Sequence, residues 1–251
     1  MIAPALSGTA IGVLGLGLLF GLRHATEADH IAAVSVIVSE RNGWRAALRT
    51  GLLWGAGHTL SILAAGLFVL GLRIVIPDRL ARVLELGVAI MIIGLGGAAL
   101  ARALRPRPEV HSHLHRHAPG EAPHRHLHFD DGSDAHRPGP ADPPHRRHTV
   151  QRIGLKPLLV GMMHGLAGSA ALTLLVLAPI RTFPLGLLYL LVFGIGSIGG
   201  MALMSLLISL PFAATASLPG IHRTLRVAAG VLSLVFGLVY AWSQFVPGIR
   251  V

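Results

Sequence analysis

The chain has no cysteine and little charge: of its 251 residues only 13% are Asp, Glu, Lys or Arg. Without cysteine there is no disulfide framework and no thiolate metal centre, and soft ions such as copper(I) lose their preferred ligand. A soluble domain of this length carries about a quarter charged residues. The deficit, beside 53% apolar residues and several apolar runs of about twenty residues, describes an integral membrane protein. Segments of about ten residues that alternate apolar and polar positions are also missing, which argues against a membrane barrel. No signal-peptide pattern is visible, since MIAPALSGTA lacks a basic stretch. The formal charge of +10 does not indicate nucleic acid as a partner, because the arginines lie in short segments between apolar runs. No nucleotide-binding motif is present. Neither is H-E-x-x-H, nor a serine with a base beside it, which disfavours an intramembrane hydrolase.

What is present are six apolar segments: about 6–38, 47–72, 83–104, 155–179, 185–212 and 225–246. The first is too long for one straight crossing and is interrupted by polar residues. The reading is an all-α polytopic membrane protein. Arg41, Arg45 and Arg49 follow the first segment, ten basic residues lie between about 102 and 156, and Arg223 and Arg226 precede the last. Five others, Arg73, Arg79, Arg82, Arg181 and Arg250, lie on the opposite side. The balance puts the odd connections, including the long third one, in the cytoplasm.

The two halves resemble each other. GLRHATEADHIAAV aligns with GMMHGLAGSAALTL, pairing His24 with His164. GAGHTLSI aligns with GIGSIGGM, pairing His58 with Ser197, and GVAIMIIGL with GVLSLVFGL, pairing Gly87 with Gly230 and Gly94 with Gly237. Three crossings is an odd number, so a second copy enters the membrane from the other side. This is the inverted-repeat plan of secondary transporters, whose sites lie near the midplane between repeats. The division expected is a first three-helix repeat at 1–104, a His-rich disordered loop at 105–152, and a second repeat at 153–251.

Ionisable groups at membrane depth are expensive and mark partners, cavities or pathways. The stretch GLRHATEADHI holds His24, Glu27, Asp29 and His30. On a helix, His24, Glu27 and His30 form one slanting stripe, whereas Asp29 lies about 140° round from His24 at 3.6 residues per turn. One ion with bonds near ~2.1 Å cannot be reached by all four from a straight helix. Either the helix breaks, or other helices supply ligands. His58 and His164 are the candidates, with Thr59 and Ser169 behind them. Imidazole with carboxylate suits nickel, cobalt, zinc or copper(II). The competing bland reading is a polar set that only fixes helix packing.

Ten of the fifteen histidines lie in the third connection, where residues 111–128 read HSHLHRHAPGEAPHRHLH. His111, His113, His115, His117, His124, His126 and His128 are candidates for loose metal binding. With abundant proline and arginine and little apolar surface, the segment is expected to be disordered.

His24-Ala-Thr-Glu-Ala-Asp29-His30 resembles the H-A-x-D-A-D-H signature of the nickel/cobalt transporter superfamily, and Gly57-His58-Thr59 resembles its G-H-[ST] motif. Glu27 stands where the family usually has Asp. The second-half motif GMMHGLAGSAAL is similar to the shorter six-segment, urease-associated branch, not to the F-D-T type of larger permeases. The resemblance implies a non-enzymatic permease of the cell membrane, with Ni²⁺ and Co²⁺ as transported substrates and no resident cofactor. It implies that His24, Asp29 and His30 are required, with His58 as neighbour. Membrane lipid and metallo-enzyme maturation proteins are the other partners expected. Uptake is the leading direction. Export, intramembrane metal-dependent hydrolysis, and an accessory protein that presents metal through the His-rich loop are the alternatives.

Overall fold

The computed structural model describes residues 8–41, 43–72, 77–105, 110–115, 124–129, 154–167 and 183–246. Two compact units emerge, one formed by Met1–Ala103 with Ile153–Val251 and the other by Leu104–Arg152. The first unit is all-helical among its described residues: α1 (Gly8–His24), α2 (Ala28–Ser39), α3 (Trp44–Leu72), α4 (Asp78–Leu104), α5 (Lys156–Ala167), α6 (Phe183–Ala214) and α7 (Pro219–Ser243). Four of these, α3, α4, α6 and α7, are long and apolar enough to cross a membrane. The protein is a multi-pass membrane protein. Side chains such as Ile195, Leu203 and Leu210 on α6, and Leu232, Val235 and Leu238 on α7, stand exposed. Such continuous apolar faces belong against acyl chains.

The first apolar segment is broken. Residues 25–27 leave the helix, with the Thr26 amide reaching back to Arg23 O (2.9 Å) and the Glu27 amide to His24 O (3.1 Å). Glu27 then adopts an extended conformation (φ −65°, ψ 149°) and α2 starts afresh. A break in a membrane helix frees backbone groups that must be satisfied locally. Thr26 Oγ1 donates to Arg23 O at 2.6 Å, and Asp29 Oδ1 accepts the His30 amide at 2.8 Å. The α2–α3 turn uses Gly43 at φ +89°, a conformation most side chains avoid.

The unit is held by close backbone contacts that come in matched pairs. A methyl group on Gly21 of α1 would strike the Phe193 carbonyl of α6, and one on Gly161 of α5 would strike the Trp54 carbonyl of α3. Gly57 lies against the Leu158 carbonyl in the same way as Gly196 lies against that of Leu18. In the alignment of the halves, Gly21 pairs with Gly161, Trp54 with Phe193, Gly57 with Gly196, and Leu18 with Leu158. The contact of α1 with α6 therefore has its counterpart in that of α5 with α3, as an internal two-fold requires. Such approaches let helices gain packing that lipid chains cannot match.

The direction of the helices shows which two-fold. Along α3, Gly51 meets Met201 and Ser205, Gly55 meets Ile198, and Gly66 meets Leu190. As one number rises the other falls, so the equivalent helices α3 and α6 run antiparallel. Between α4 and α7, Gly87 and Gly94 have no close neighbour among the described residues, whereas Gly96 packs on Gly230 and Leu234, Gly230 on Gly96 and Leu100, and Gly237 on Ile93 and Ala89.

The core sits between these layers, with Trp54, Val34, Val36, Val38, Val88, Ile92 and Met201 buried together and Ile62, Tyr189, Leu190 and Phe193 forming a second cluster. The second unit contains a two-stranded antiparallel ribbon, β1 (Val110–His115) and β2 (His124–Phe129), where the composition led us to expect disorder. Its alternation of histidine with other residues is a strand-like period of two, and the register sets His111 opposite His128, His113 opposite His126 and His115 opposite His124. The rest of that segment, His117 included, lies outside the described residues.

Candidate metal centre

The break after His24 rotates α2 relative to α1, and this decides the site. On a continuous helix Asp29 would face away from His24. With Glu27 extended, Asp29 enters the first turn of α2 and its carboxylate joins the buried histidines. Asp29 Oδ1 accepts from His30 Nδ1 at 2.9 Å, and Oδ2 accepts from His164 Nε2 at 2.8 Å. One carboxylate thus ties α2 of the first half to α5 of the second.

His24 ends α1, and its Nε2 lies 3.0 Å from His58 Nε2 on α3. Its Nδ1 lies 2.9 Å from Glu27 Oε2, whose side chain is 39% exposed. His24, His30, His58 and His164 are all buried, with ring centroids between 4.1 Å (His30–His164) and 5.9 Å (His58–His164) for the pairs in contact. The ligand atoms of His24, His30 and His58 lie within 4.8 Å of one another, as do those of Asp29, His30 and His164. An ion with bonds near 2.1 Å holds its ligands roughly 3–4 Å apart, so by distance either triad is a candidate for coordination.

The hydrogen bonds fix where lone pairs are left. Carboxylates only accept, so His30 Nδ1 and His164 Nε2 carry the protons they give Asp29, and His24 Nδ1 carries the one it gives Glu27. With neutral rings, His24 Nε2 then accepts from His58 Nε2. What remains is a bare lone pair on His30 Nε2, His58 Nδ1 and His164 Nδ1. Those three nitrogens are buried and have no hydrogen-bond partner among the described residues. Leaving such groups unsatisfied costs about 1–3 kcal/mol each, a penalty that coordination of a cation removes. A carboxylate behind an imidazole is also how proteins orient a metal-binding histidine and raise its basicity.

Of the residues expected from the sequence, His24, Asp29, His30, His58 and His164 meet here and Glu27 sits at their rim. Thr59 does not touch them: its hydroxyl donates to Gly194 O at 3.2 Å, joining α3 to α6. Ser169 lies outside the described residues. Two neighbours were not singled out in the sequence. Trp54 stacks beside His30 at 6.0 Å and stands 5.8 Å from His164, and Phe193 lies 5.7 Å from His24. The signal was there, since Trp54 precedes His58 by one helical turn and so shares its face.

Ionisable groups buried inside a multi-pass helical membrane protein mark a path or a partner for ions, protons or substrates, and imidazole with carboxylate is a donor set suited to borderline divalent cations. Residues 10–239 match the family model NicO, described as high-affinity nickel-transport protein, and the chain belongs to this family. It is also 33% identical over 235 residues, 93% of this chain and 92% of the other, to the urease accessory protein UreH of Bacillus sp. (strain TB-90). No solved structure matches the chain. A transport family is not an enzyme family, and the hydrolase reading is set aside on that ground.

Proposed function

We propose that the chain is a secondary permease moving Ni²⁺, with Co²⁺ as a second substrate, inward across the cytoplasmic membrane. The observation that carries this is the buried histidine cluster, in which His30, His58 and His164 each keep one ring nitrogen without a partner among the described residues while Asp29 orients His30 and His164. Family membership supports nickel, and the donor set agrees, because imidazole with carboxylate favours borderline divalent ions over magnesium or calcium. The name of the urease accessory relative supports the inward direction and partners among metallo-enzyme maturation proteins.

In this reading the ion sheds water as His24, His30, His58, His164 and Asp29 replace it, with Glu27 at the mouth. Residues 1–104 and 153–251 act as two inverted halves that rock about the site, exposing it to one side and then the other. The membrane potential alone contributes about 4.6 kcal/mol per 100 mV for a divalent cation, twice the single-charge value, and drives it inward. The His-rich segment 105–152 faces the cytoplasm and collects the released ion.

The test is ⁶³Ni accumulation in cells expressing the chain, beside His30→Ala at matched membrane abundance. Accumulation above the empty vector that disappears in the variant is the expected result. Depletion below the vector would reverse the direction, and equality of all three strains would sink the permease reading.

A further inference from the structure

Ser197 is fully buried, and its hydroxyl has no partner among the described residues. Ser205, also on α6 and packed against Gly51 of α3, shares this state, but other buried hydroxyls do not. Ser39, Thr50, Ser209 and Ser243 each donate to a carbonyl three or four residues back in their own helix, at 2.7–2.9 Å, the ordinary refuge of a hydroxyl in a membrane helix. Ser233 donates across to Ile92 O at 3.3 Å. Ser197 Oγ does neither.

Its position is equally specific. The matched backbone contacts relate His58 on α3 to Ser197 on α6, Trp54 to Phe193, and His164 on α5 to His24 on α1. On one side of the centre, Gly165, the residue after His164, abuts the His58 carbonyl. On the other, Gly21, one turn before His24, abuts the Ser197 amide, and Ala25, the residue after His24, packs on Gly200. Phe193, one turn before Ser197, lies 5.7 Å from the His24 ring. Ser197 therefore stands at the level of His24 on the facing helix, as His58 does for His164.

We propose that Ser197 is a second station on the ion path: with His24 it forms the weaker mirror image of the His58–His164 pair and takes a divalent cation as the halves exchange conformation. The inference rests on the reading of the histidine centre as the transport site. A neutral hydroxyl oxygen is a poorer ligand than imidazole for nickel or cobalt. The same backbone frame thus grips the ion on one side through His58 and holds it loosely on the other through Ser197. Ser197 sets the rate of passage, while the histidines set affinity.

The absence of cysteine supplies the test. Ser197→Cys, nearly isosteric, places the sole thiol in the chain on the proposed path. In proteoliposomes, a small methanethiosulfonate reagent is expected to modify it, and Ni²⁺ is expected to slow that modification at least fivefold. Ser233→Cys, in the α4–α7 contact, is expected to show no protection. In parallel, Ser197→Ala is expected to lower the maximal rate of ⁶³Ni transport about tenfold, with equilibrium Ni²⁺ binding to the purified protein within twofold of the unsubstituted chain. Ser197→Thr, which keeps the hydroxyl, is expected to retain most of the rate. If the unsubstituted protein moves nickel but Ser197→Ala transports at full rate and Ser197→Cys is unprotected, this inference alone is overturned. If the unsubstituted protein moves no nickel, the transport reading falls and the inference falls with it.

Discussion

The contact of α1 with α6 and that of α5 with α3 are the same piece of architecture used twice, yet they carry different chemistry. Both are backbone-to-backbone approaches set by glycine, Gly21 and Gly196 in one and Gly161 and Gly57 in the other. In one the polar residues at the crossing are His24 and Ser197. In the other they are His164 and His58, and the break after α1 adds Glu27, Asp29 and His30 to the first half alone. The frame is symmetric because packing admits only small residues at these points. The polar residues differ because side chains beside the crossing are free to vary where the glycines within it are not.

The comparison can be broken at the frame, at the link between the halves, or at the periphery. The largest effect is expected at the frame. A side chain at Gly161 must displace the Trp54 backbone, and overpacking typically costs about 1–3 kcal/mol, occasionally more. Gly161→Val, and Gly21→Val to the same degree if the two contacts are equivalent, should remove most of the monodisperse protein peak on size exclusion in mild detergent. Unequal losses would show that the two contacts do not carry equal weight.

Next comes the link. Asp29→Asn keeps the shape of the side chain but removes the charge and one of the two acceptors that orient His30 and His164. Loss of such an orienting group typically costs about 10–100-fold in metal affinity. Equilibrium dialysis against ⁶³Ni should show that loss while the size-exclusion peak is unchanged. An unchanged affinity would mean that the histidines are held by packing alone. The smallest effect is expected at the edge, where Glu40 at the end of α2 pairs with Arg102 of α4 through both Nε and Nη2. The pair is partly exposed, a setting in which such bridges contribute about 0.2–1 kcal/mol. Glu40→Gln should leave nickel transport intact and move the melting temperature by no more than a few degrees.

Much of this was legible in the sequence because the physics behind it is local. Apolar runs gave the helices, and four ionisable groups within seven residues gave the candidate site and called for either a broken helix or residues from elsewhere. The helix does break there, and His58 and His164 do approach from other helices. What could not be read was the size of the rotation at the break. It depends on one residue, Glu27, leaving the helical region, and it is that rotation which turns Asp29 from a residue facing away into the bridge between His30 and His164. Which glycines bring α4 and α7 together could not be read for a related reason. Glycines recur by composition in membrane helices, and only a contact shows which of them touch. Ser197 was visible as the counterpart of His58, but its unsatisfied hydroxyl is a property of the assembled interior.

The antiparallel run of α3 against α6 bears on how such a chain could have arisen. A free-standing half could build this interface only as a pair of copies inserted in opposite senses. Such a half must give the insertion machinery no strong instruction. Arg41, Arg45 and Arg49 at one end of α3 are balanced by Arg73, Arg79 and Arg82 at the other, three against three. Within the first half that balance is ambivalent, and the tie in charge is broken only by the ten basic residues between about 102 and 156, on the segment that joins the halves.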